Sequence, residues 1–310
     1  MEQPGELRFD RASDLLERHR TRLRTGCARM DEVLGGGLLD RGITEIAGEA
    51  SAGKTQLALQ LIFQVQLPRS EGGLQGGALF LHAEGGEAPV KRLRQIGSAF
   101  ARRWSSAGAT VDRLCDNVFI DRIETADLLM NALRYRVPTL LATRAVRLVV
   151  IDSIAALFRT HLDDDLPRRS ELLHAIAAEM QALSDRMHVA FVVLNQITDS
   201  VDTPDTPDAA CTAVPAVSKR AALGLAWSHC VNTRLLLSRA QARPFAPPRL
   251  QPQLAQLGGA LAEQQPRPGA RVELRTMRVV LSPCVEQRSC EYVIDADGVR
   301  DATDDETAHG

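Results

Sequence analysis

From residue 43 onward, short runs of aliphatic and β-branched residues alternate with stretches whose apolar positions recur at helical spacing. The runs are ITEIA (43–47), ALFLH (78–82), NVFID (117–121), VRLVVID (146–152) and VAFVVLN (189–195). Most of their positions are apolar on both strand faces, the pattern of strands covered on both sides. The stretches between them predict helices at 56–66, 89–104, 126–135 and 169–186. Strand and helix in repeated alternation predict an α/β fold, a doubly wound and mostly parallel sheet with helices on both faces.

After residue 195 the pattern changes. QITDSVDTPDTPDAACTAVPAVSKR (196–220) is rich in Asp, Thr and Pro and reads as a long mobile loop. A strand, VNTRLLLSR, follows, and then a Pro/Gln/Ala-biased stretch at 240–269 that predicts a disordered insertion acting as a spacer. ARVELRTMRVVLSP and CEYVIDADGV predict closing antiparallel strands, a C-terminal extension of the sheet. Residues 1–24 are polar and arginine-rich with one helical patch at 11–20, and they read as an arm. The expected organisation is therefore an arm (1–24), a core (25–301) interrupted by the insertion, and an acidic tail (302–310).

Composition narrows the function classes. A chain of 310 residues buries a sizeable core and predicts one large domain with short appendages. The net charge of −2 exerts no global pull on nucleic acid, so any DNA contact must be local. Six cysteines without C-x-x-C spacing argue against a zinc site or a disulfide framework and predict reduced thiols in an intracellular protein. No apolar run approaches the roughly 20 residues of a membrane span, and the N-terminus lacks a secretory apolar core. A soluble, non-exported protein without a membrane partner is expected.

Gly48-Glu49-Ala50-Ser51-Ala52-Gly53-Lys54-Thr55 fits G-x-x-x-x-G-K-[ST] at every required position. Backbone amides of such a loop and of the helix after it cradle phosphates, Lys54 reaches the β and γ oxygens, and the Thr55 hydroxyl meets Mg²⁺. A strand-to-helix turn with a chance lysine would share the spacing. The apolar strand before it and the helical run TQLALQLIFQVQ after it supply the context a phosphate loop requires.

Asp152 ends the run VRLVVID, where ligands sit on open α/β sheets, which suits a partner for Mg²⁺; a helix N-cap is the plainer role for the same Asp. Glu84 lies just past ALFLH, where an acid polarises a water for attack on the γ-phosphate, and by spacing alone a surface carboxylate fits equally well. Asn195-Gln196 ends VAFVVLN, and an amide at that strand tip is placed to sense the terminal phosphate.

These features stand in order along the chain. Together with SAGKTQLALQL, VQLP, GGL, KRL, VVIDS, AALFR, LGLAW and SPC…DADGVRD, they resemble the RecA-type recombinases of eukaryotes, and among them the paralogues. The resemblance runs from about Leu7 to Asp301, leaving out the proline-rich insertion. It implies a RecA-like P-loop ATPase core that uses ATP and Mg²⁺. Lys54 and Thr55 match the phosphate and Mg²⁺ ligands, Asp152 the second acid, Glu84 the catalytic glutamate and Gln196 the γ-phosphate sensor. Pro283, in Ser-Pro-Cys, matches the cap that closes over a neighbour's nucleotide. Phe9 and Ala12 in RFDRASDLL are similar to the family's polymerisation motif, which plugs pockets on an adjacent core; an exposed Phe that folds back on its own core is the alternative.

The resemblance departs in two places. No helix-hairpin-helix type domain is expected ahead of the arm, and the segments THLDDDLPRR and TDSVDTPDTPDAAC carry runs of aspartate where DNA-facing loops are expected. Carboxylates repel phosphates, and only Arg168, Arg169, Lys219 and Arg220 flank these segments as DNA candidates, with solvated loop charge as their plainer role, so weak binding to single-stranded or branched DNA is expected. The implied function is that of a slowly hydrolysing, ATP-gated assembly subunit in the nucleus. It would pair with another paralogue, as a heterodimer with the C-type paralogue, and act as mediator on the strand-exchange recombinase filament in homologous recombination and double-strand-break repair. The alternatives are a strand-exchange enzyme with its own filament and, with less in the chain to favour it, a small-molecule phosphotransferase.

Overall fold

The computed structural model describes residues 21–83, 88–105, 108–158, 166–201, 217–221, 223–239, 243–244 and 271–303. Its strands are β1 (Arg22–Leu23), β2 (Leu38–Leu39), β3 (Gly42–Gly48), β4 (Gly77–His82), β5 (Val118–Arg122), β6 (Val146–Asp152) and β7 (Ala190–Val201). They continue with β8 (Val217–Ala221), β9 (Thr233–Arg239), β10 (Arg243–Pro244), β11 (Arg271–Val272), β12 (Arg275–Leu281), β13 (Ser289–Ile294) and β14 (Val299–Asp301). The helices are α1 (Ala28–Val33), α2 (Lys54–Gln64), α3 (Ala88–Arg103), α4 (Val111–Asp116), α5 (Ala126–Asn131), α6 (Val137–Thr143), α7 (Leu166–Met187) and α8 (Gly224–Ser228).

The main sheet runs β14-β13-β12-β9-β3-β7-β6-β4-β5. From β9 to β5 every neighbour is parallel. From β9 outward to β14 every neighbour is antiparallel. The expected doubly wound sheet with an antiparallel C-terminal extension is therefore the observed one. Its apolar strands feed two cores by simple alternation. Ala78, Phe80, Leu148, Val150, Val192 and Leu194 pack with Leu57 and Leu61 of α2 and Leu93, Ile96 and Phe100 of α3. Leu79, Leu81, Val149, Ile151, Phe191 and Val193 pack with Leu129 of α5, Trp227 of α8, and Leu173, Ile176 and Met180 of α7. Each fully buried Val, Leu, Ile, Phe or Met among them contributes about 1.5–3 kcal/mol, which is why the parallel strands carry so few polar positions.

Three expectations are corrected. The segment after Asn195 does not leave the sheet: β7 runs on to Val201, and Ile197–Val201 pairs antiparallel with β8 from Ala221 back to Val217. The alternation of β-branched and polar residues in ITDSV and VSKRA supports that stem, which the Asp/Pro content between them obscured. The helix expected at 126–135 is α5 followed by a widened turn at Ala132–Arg136 and then α6, with a proline in the first turn of α6. Leu23, assigned to the arm, is fully buried in the core beside Met30 of α1. Short helices α1, α4 and α8 had no strong periodic signal. Most of the insertion expected at 240–269 lies outside the described residues, but Arg243–Pro244 within it form β10, which pairs with β11 just past its end. Among the described residues no helix is long and apolar enough to cross a membrane.

The order of the strands creates the crevice. The chain goes from β3 to β4, yet β7 and β6 lie between them in the sheet. The C-terminal ends of β3, β7, β6 and β4 therefore open onto a common edge, where ligands of open α/β sheets bind.

Candidate nucleotide site

The phosphate loop follows β3 and runs directly into α2, whose first residues are Lys54 and Thr55. Gly53 caps the helix with φ +103°, a left-handed conformation that favours glycine, and a Cβ there would run into Ile294 of β13. Gly48 lies so close to the carbonyl of Leu237 on β9 that a side chain would not fit. The loop is also held from the far strand: the buried Tyr292 hydroxyl donates to the Ala52 carbonyl at 2.6 Å. Burial pushes the Tyr292 hydroxyl pKa well up, so it remains a donor at neutral pH. Lys54 Nζ donates to the carbonyls of Gly48 and Glu49 at 2.8 and 2.7 Å, so its charge sits inside the loop.

The second acid comes from β6. Asp152, at the tip of that strand, accepts a hydrogen bond from Thr55 Oγ1 at 2.7 Å on Oδ2. Gln196 lies on β7 abreast of Gly48, and its alternation with Leu194 and Val192 puts it on the α2 face of the sheet. Lys54, Thr55, Asp152 and Gln196, apart by up to 142 positions in sequence, thus meet at one sheet edge. A cleft of about 420 Å³ adjoins Lys54 and Thr55, lined also by Ser51, Arg92, Arg275 and Ile294.

Sequence reasoning missed three members of this wall. Tyr292 sits in CEYVIDADG with no signal beyond strand propensity. Arg92 of α3 donates from Nε to Gln56 Oε1 at 2.6 Å and from its two terminal nitrogens to the Ala296 and Asp295 carbonyls at 2.7 and 2.8 Å. It so ties α3 to α2 and to the β13–β14 turn, and its burial lowers its pKa. Arg275 of β12 is nearly buried; it donates to the Glu273 carbonyl at 2.9 Å and pairs with the Glu273 carboxylate, while its Nε has no partner among the described residues.

The remaining sequence candidates fall elsewhere. Pro283 is exposed in the turn after β12. Arg275 at the start of β12 pairs with Arg239, at the loop end of β9, and Leu281 at its finish pairs with Arg234, near the opposite end. Pro283 therefore leaves the sheet at the edge away from its own phosphate loop. Arg168 is exposed and Arg169 half-buried in the first turn of α7. Lys219 and Arg220 lie on β8, opposite Asp199 and Thr198. Glu84, Phe9 and Ala12 lie outside the described residues, as do the aspartates at 163–165.

The residues at the crevice fit a magnesium-bound triphosphate. The amides opening an eleven-residue helix suit phosphate, and Gly53 leaves its approach open. Thr55 and Asp152, in contact through oxygen, form the hard donor set that Mg²⁺ takes, usually with retained waters.

Comparison with known proteins agrees with this geometry. The chain matches the Rad51 family over residues 17–245. It is 39% identical over 290 residues to DNA repair protein XRCC3 of Bos taurus, covering 92% of this chain and 75% of that protein. The XRCC3 homolog of Arabidopsis thaliana is 33% identical over 302 residues, with 92% and 95% covered. DNA repair protein RAD51 homolog 3 of Cricetulus griseus is 32% identical over 251 residues, with 76% and 65% covered. Members of this family are nucleotide-binding ATPases of DNA repair and recombination that typically use Mg²⁺. Phosphate loop, crevice and these similarities agree that the chain belongs to the Rad51 family of RecA-like proteins, as an XRCC3-like paralogue.

Proposed function

We propose that the chain binds ATP with Mg²⁺ and hydrolyses it slowly, in a site that a neighbouring protomer completes. The observation that carries this reading is positional. Lys54, Thr55, Asp152 and Gln196 gather at one edge of the sheet, whereas Pro283 leaves at the other. The seven residues of β12 separate the two by roughly 20 Å. As a cap, Pro283 would thus serve another protomer's nucleotide.

When bound, the nucleotide supplies the phosphoanhydride and the metal its Lewis acidity. Lys54 turns its charge from the loop carbonyls to the β and γ oxygens. Thr55 and Asp152 would hold the metal. Glu84 orients the attacking water as general base, and Gln196 senses the terminal phosphate. Hydrolysis is slow because positioning waits on the neighbour's cap.

The partner is another recombinase paralogue, the C-type one, in a heterodimer. Phe9 and Ala12 supply the plug, and β5 offers an acceptor edge. It is the last strand of the main sheet, Ile120 on it is exposed, and Leu128 and Tyr135 are exposed in the elements that follow. An edge strand with apolar neighbours favours pairing with another chain. In this reading the heterodimer acts in the nucleus as a mediator for the recombinase filament. Arg168, Arg169, Lys219 and Arg220 make its weak DNA contacts.

Co-expression with candidate paralogues, followed by sizing with and without ATP and Mg²⁺, tests the proposal. A heterodimer that loosens without nucleotide, and is lost in Phe9→Ala, supports it. A complex equally tight without nucleotide and in Lys54→Ala overturns it.

A further inference from the structure

The parallel strands also begin at a common edge, roughly 20 Å from the nucleotide crevice along the seven residues of β3. A pocket of about 240 Å³ opens there, lined by Arg41, Arg69, Arg147 and His188, with Asp40 as its one carboxylate and Leu74 as its one aliphatic side chain. The topology gathers these charges. Arg41 directly precedes β3, His188 lies just ahead of β7, and Arg147 is the second residue of β6. Gly42 and Leu148 both pair with Ala190, so Arg41 and Arg147 start level on either side of β7, roughly 10 Å apart. Arg69 reaches the pocket from the turn between α2 and β4.

The guanidiniums are positioned but not neutralised. Arg147 Nη1 donates to the Met187 and His188 carbonyls at 3.4 and 3.2 Å, and Arg69 Nη1 donates to Thr21 Oγ1 at 3.2 Å. Gly76 gives the Arg147 stem its path, since a Cβ there would stand 2.3 Å from Arg147 Cγ. Among the described residues none of the three arginines forms an ion pair with a carboxylate, and the Arg41 side chain makes no hydrogen bond. A chain of net charge −2 thus holds three permanent cations together beside one acid, an arrangement that attracts an anion with several charges.

The lining selects which anion. A protein interface needs an apolar centre, and among the described residues none of the large exposed hydrophobic side chains lines this pocket. A single strand of nucleic acid needs aromatic platforms for its bases, and no Phe, Tyr or Trp lines it either. A duplex backbone needs neither, only cations placed along it, and roughly 10 Å spans about three steps of 3.4 Å. We propose that Arg41, Arg69 and Arg147 bind the phosphate backbone of duplex DNA, without regard to sequence, at the end of the sheet opposite the nucleotide. The site is separate from the loop cations: Lys219 pairs with Asp199, nine residues beyond Ala190 along β7 and roughly 30 Å away. It rests on the DNA-repair role of the family and is independent of the nucleotide reading.

Anisotropy of a labelled duplex, and of its labelled single strand, titrated with full-length protein from about 50 to 200 mM salt, is the test. Wild type is expected to favour the duplex. Arg41→Gln with Arg69→Gln and Arg147→Gln should flatten the dependence of log affinity on log salt by about 2–3, which amounts to about 40-fold over that range. Arg168→Gln with Arg169→Gln, Lys219→Gln and Arg220→Gln should lower single-strand binding and leave the duplex slope unchanged. The urea midpoint and the affinity for a fluorescent ATP analogue should be the same in the triple variant as in wild type, which shows that it is folded. If the triple change unfolds the chain, Arg41→Glu alone should still lower the duplex slope by about 1. A wild-type duplex slope in the folded edge variant overturns the proposal, and loss of phosphoserine-peptide binding in that same variant would name a phosphoprotein as the occupant instead. Loss of all DNA binding in the loop variant alone sinks this proposal and leaves the loop assignment standing; a wild type that binds no DNA at about 50 mM salt sinks both.

Discussion

At the level of Glu45 to Gln196 the central sheet has two faces with opposite polar economies. On the α2 face, Thr55 is joined to Asp152 by one hydrogen bond and Lys54 rests on loop carbonyls. On the reverse face, Glu45 receives Asn195, Trp227 and Arg234 and is sealed from solvent. The first set can change partners at little cost, which a site that admits and releases phosphate requires. The second set cannot, because every bond broken there leaves a buried polar group alone. Nearly equal distances along neighbouring strands thus separate exchangeable chemistry from fixed architecture.

Truncating the fixed side should have the largest effect. Glu45→Ala leaves Arg234 unpaired in the interior, and a loss of about 3–5 kcal/mol in unfolding free energy is expected from urea denaturation. Thr55→Ala, at the exchangeable side, should lose no more than about 1 kcal/mol in the same assay. Similar losses for both would erase the distinction. The complementary experiment reverses the ranking. Lys54→Ala removes charge-assisted bonds of about 1.5–3 kcal/mol to the nucleotide, so affinity for ATP with Mg²⁺ should fall about 10- to 100-fold by anisotropy of a fluorescent analogue. Its folding stability should barely move.

The two faces also differ in how far the sequence announces them. The phosphate loop is legible because eight consecutive residues carry it, between a strand and a helix that local pattern predicts. Asp152 and Gln196 are legible because each ends an apolar run, and strand tips are where such sheets bind ligands. Glu45 reads as a stray acid in an apolar strand. Its meaning lies in pairing with residues 150, 182 and 189 positions away, and no local signal fixes those registers. Tyr292 is hidden for the same reason, 240 positions from the carbonyl it holds. The β7–β8 stem was obscured differently, by turn-forming residues that outweighed two short alternating strands.

Tyr292→Phe tests a fastening that belongs to neither face alone. It keeps the ring in the core and removes the donor to the Ala52 carbonyl. A buried acceptor left unpaired costs about 1–2 kcal/mol, measured as a lowered urea midpoint. If the loop relaxes in consequence, ATP affinity should fall several-fold as well. A stability loss with unchanged affinity would place Tyr292 with the fixed architecture.

The smallest expected effect lies at the far margin of the core, where Asp301 of β14 accepts the Cys27 thiol and the amides of Ala28 and Arg29 at the start of α1. Burial raises the Asp301 carboxyl pKa, but those hydrogen bonds and the Arg29 charge outweigh it and leave the group below its ordinary value. A carboxyl lowered on folding contributes stability above the unfolded-state pKa, near 4, and loses it as pH falls through the folded value. Asp301→Asn should therefore melt below wild type from pH 7 to 5, by an amount in keeping with a helix-end carboxylate, about 0.3–1 kcal/mol. The gap should narrow only below about pH 4. Burial instead pushes the nearby Cys290 thiol up to about 12, so it stays neutral throughout that range and adds no slope of its own. A gap that did not change with pH would mean that Asp301 acts through shape and hydrogen bonding alone. This corner of the core would then be as indifferent to charge as the reverse face is sensitive to it.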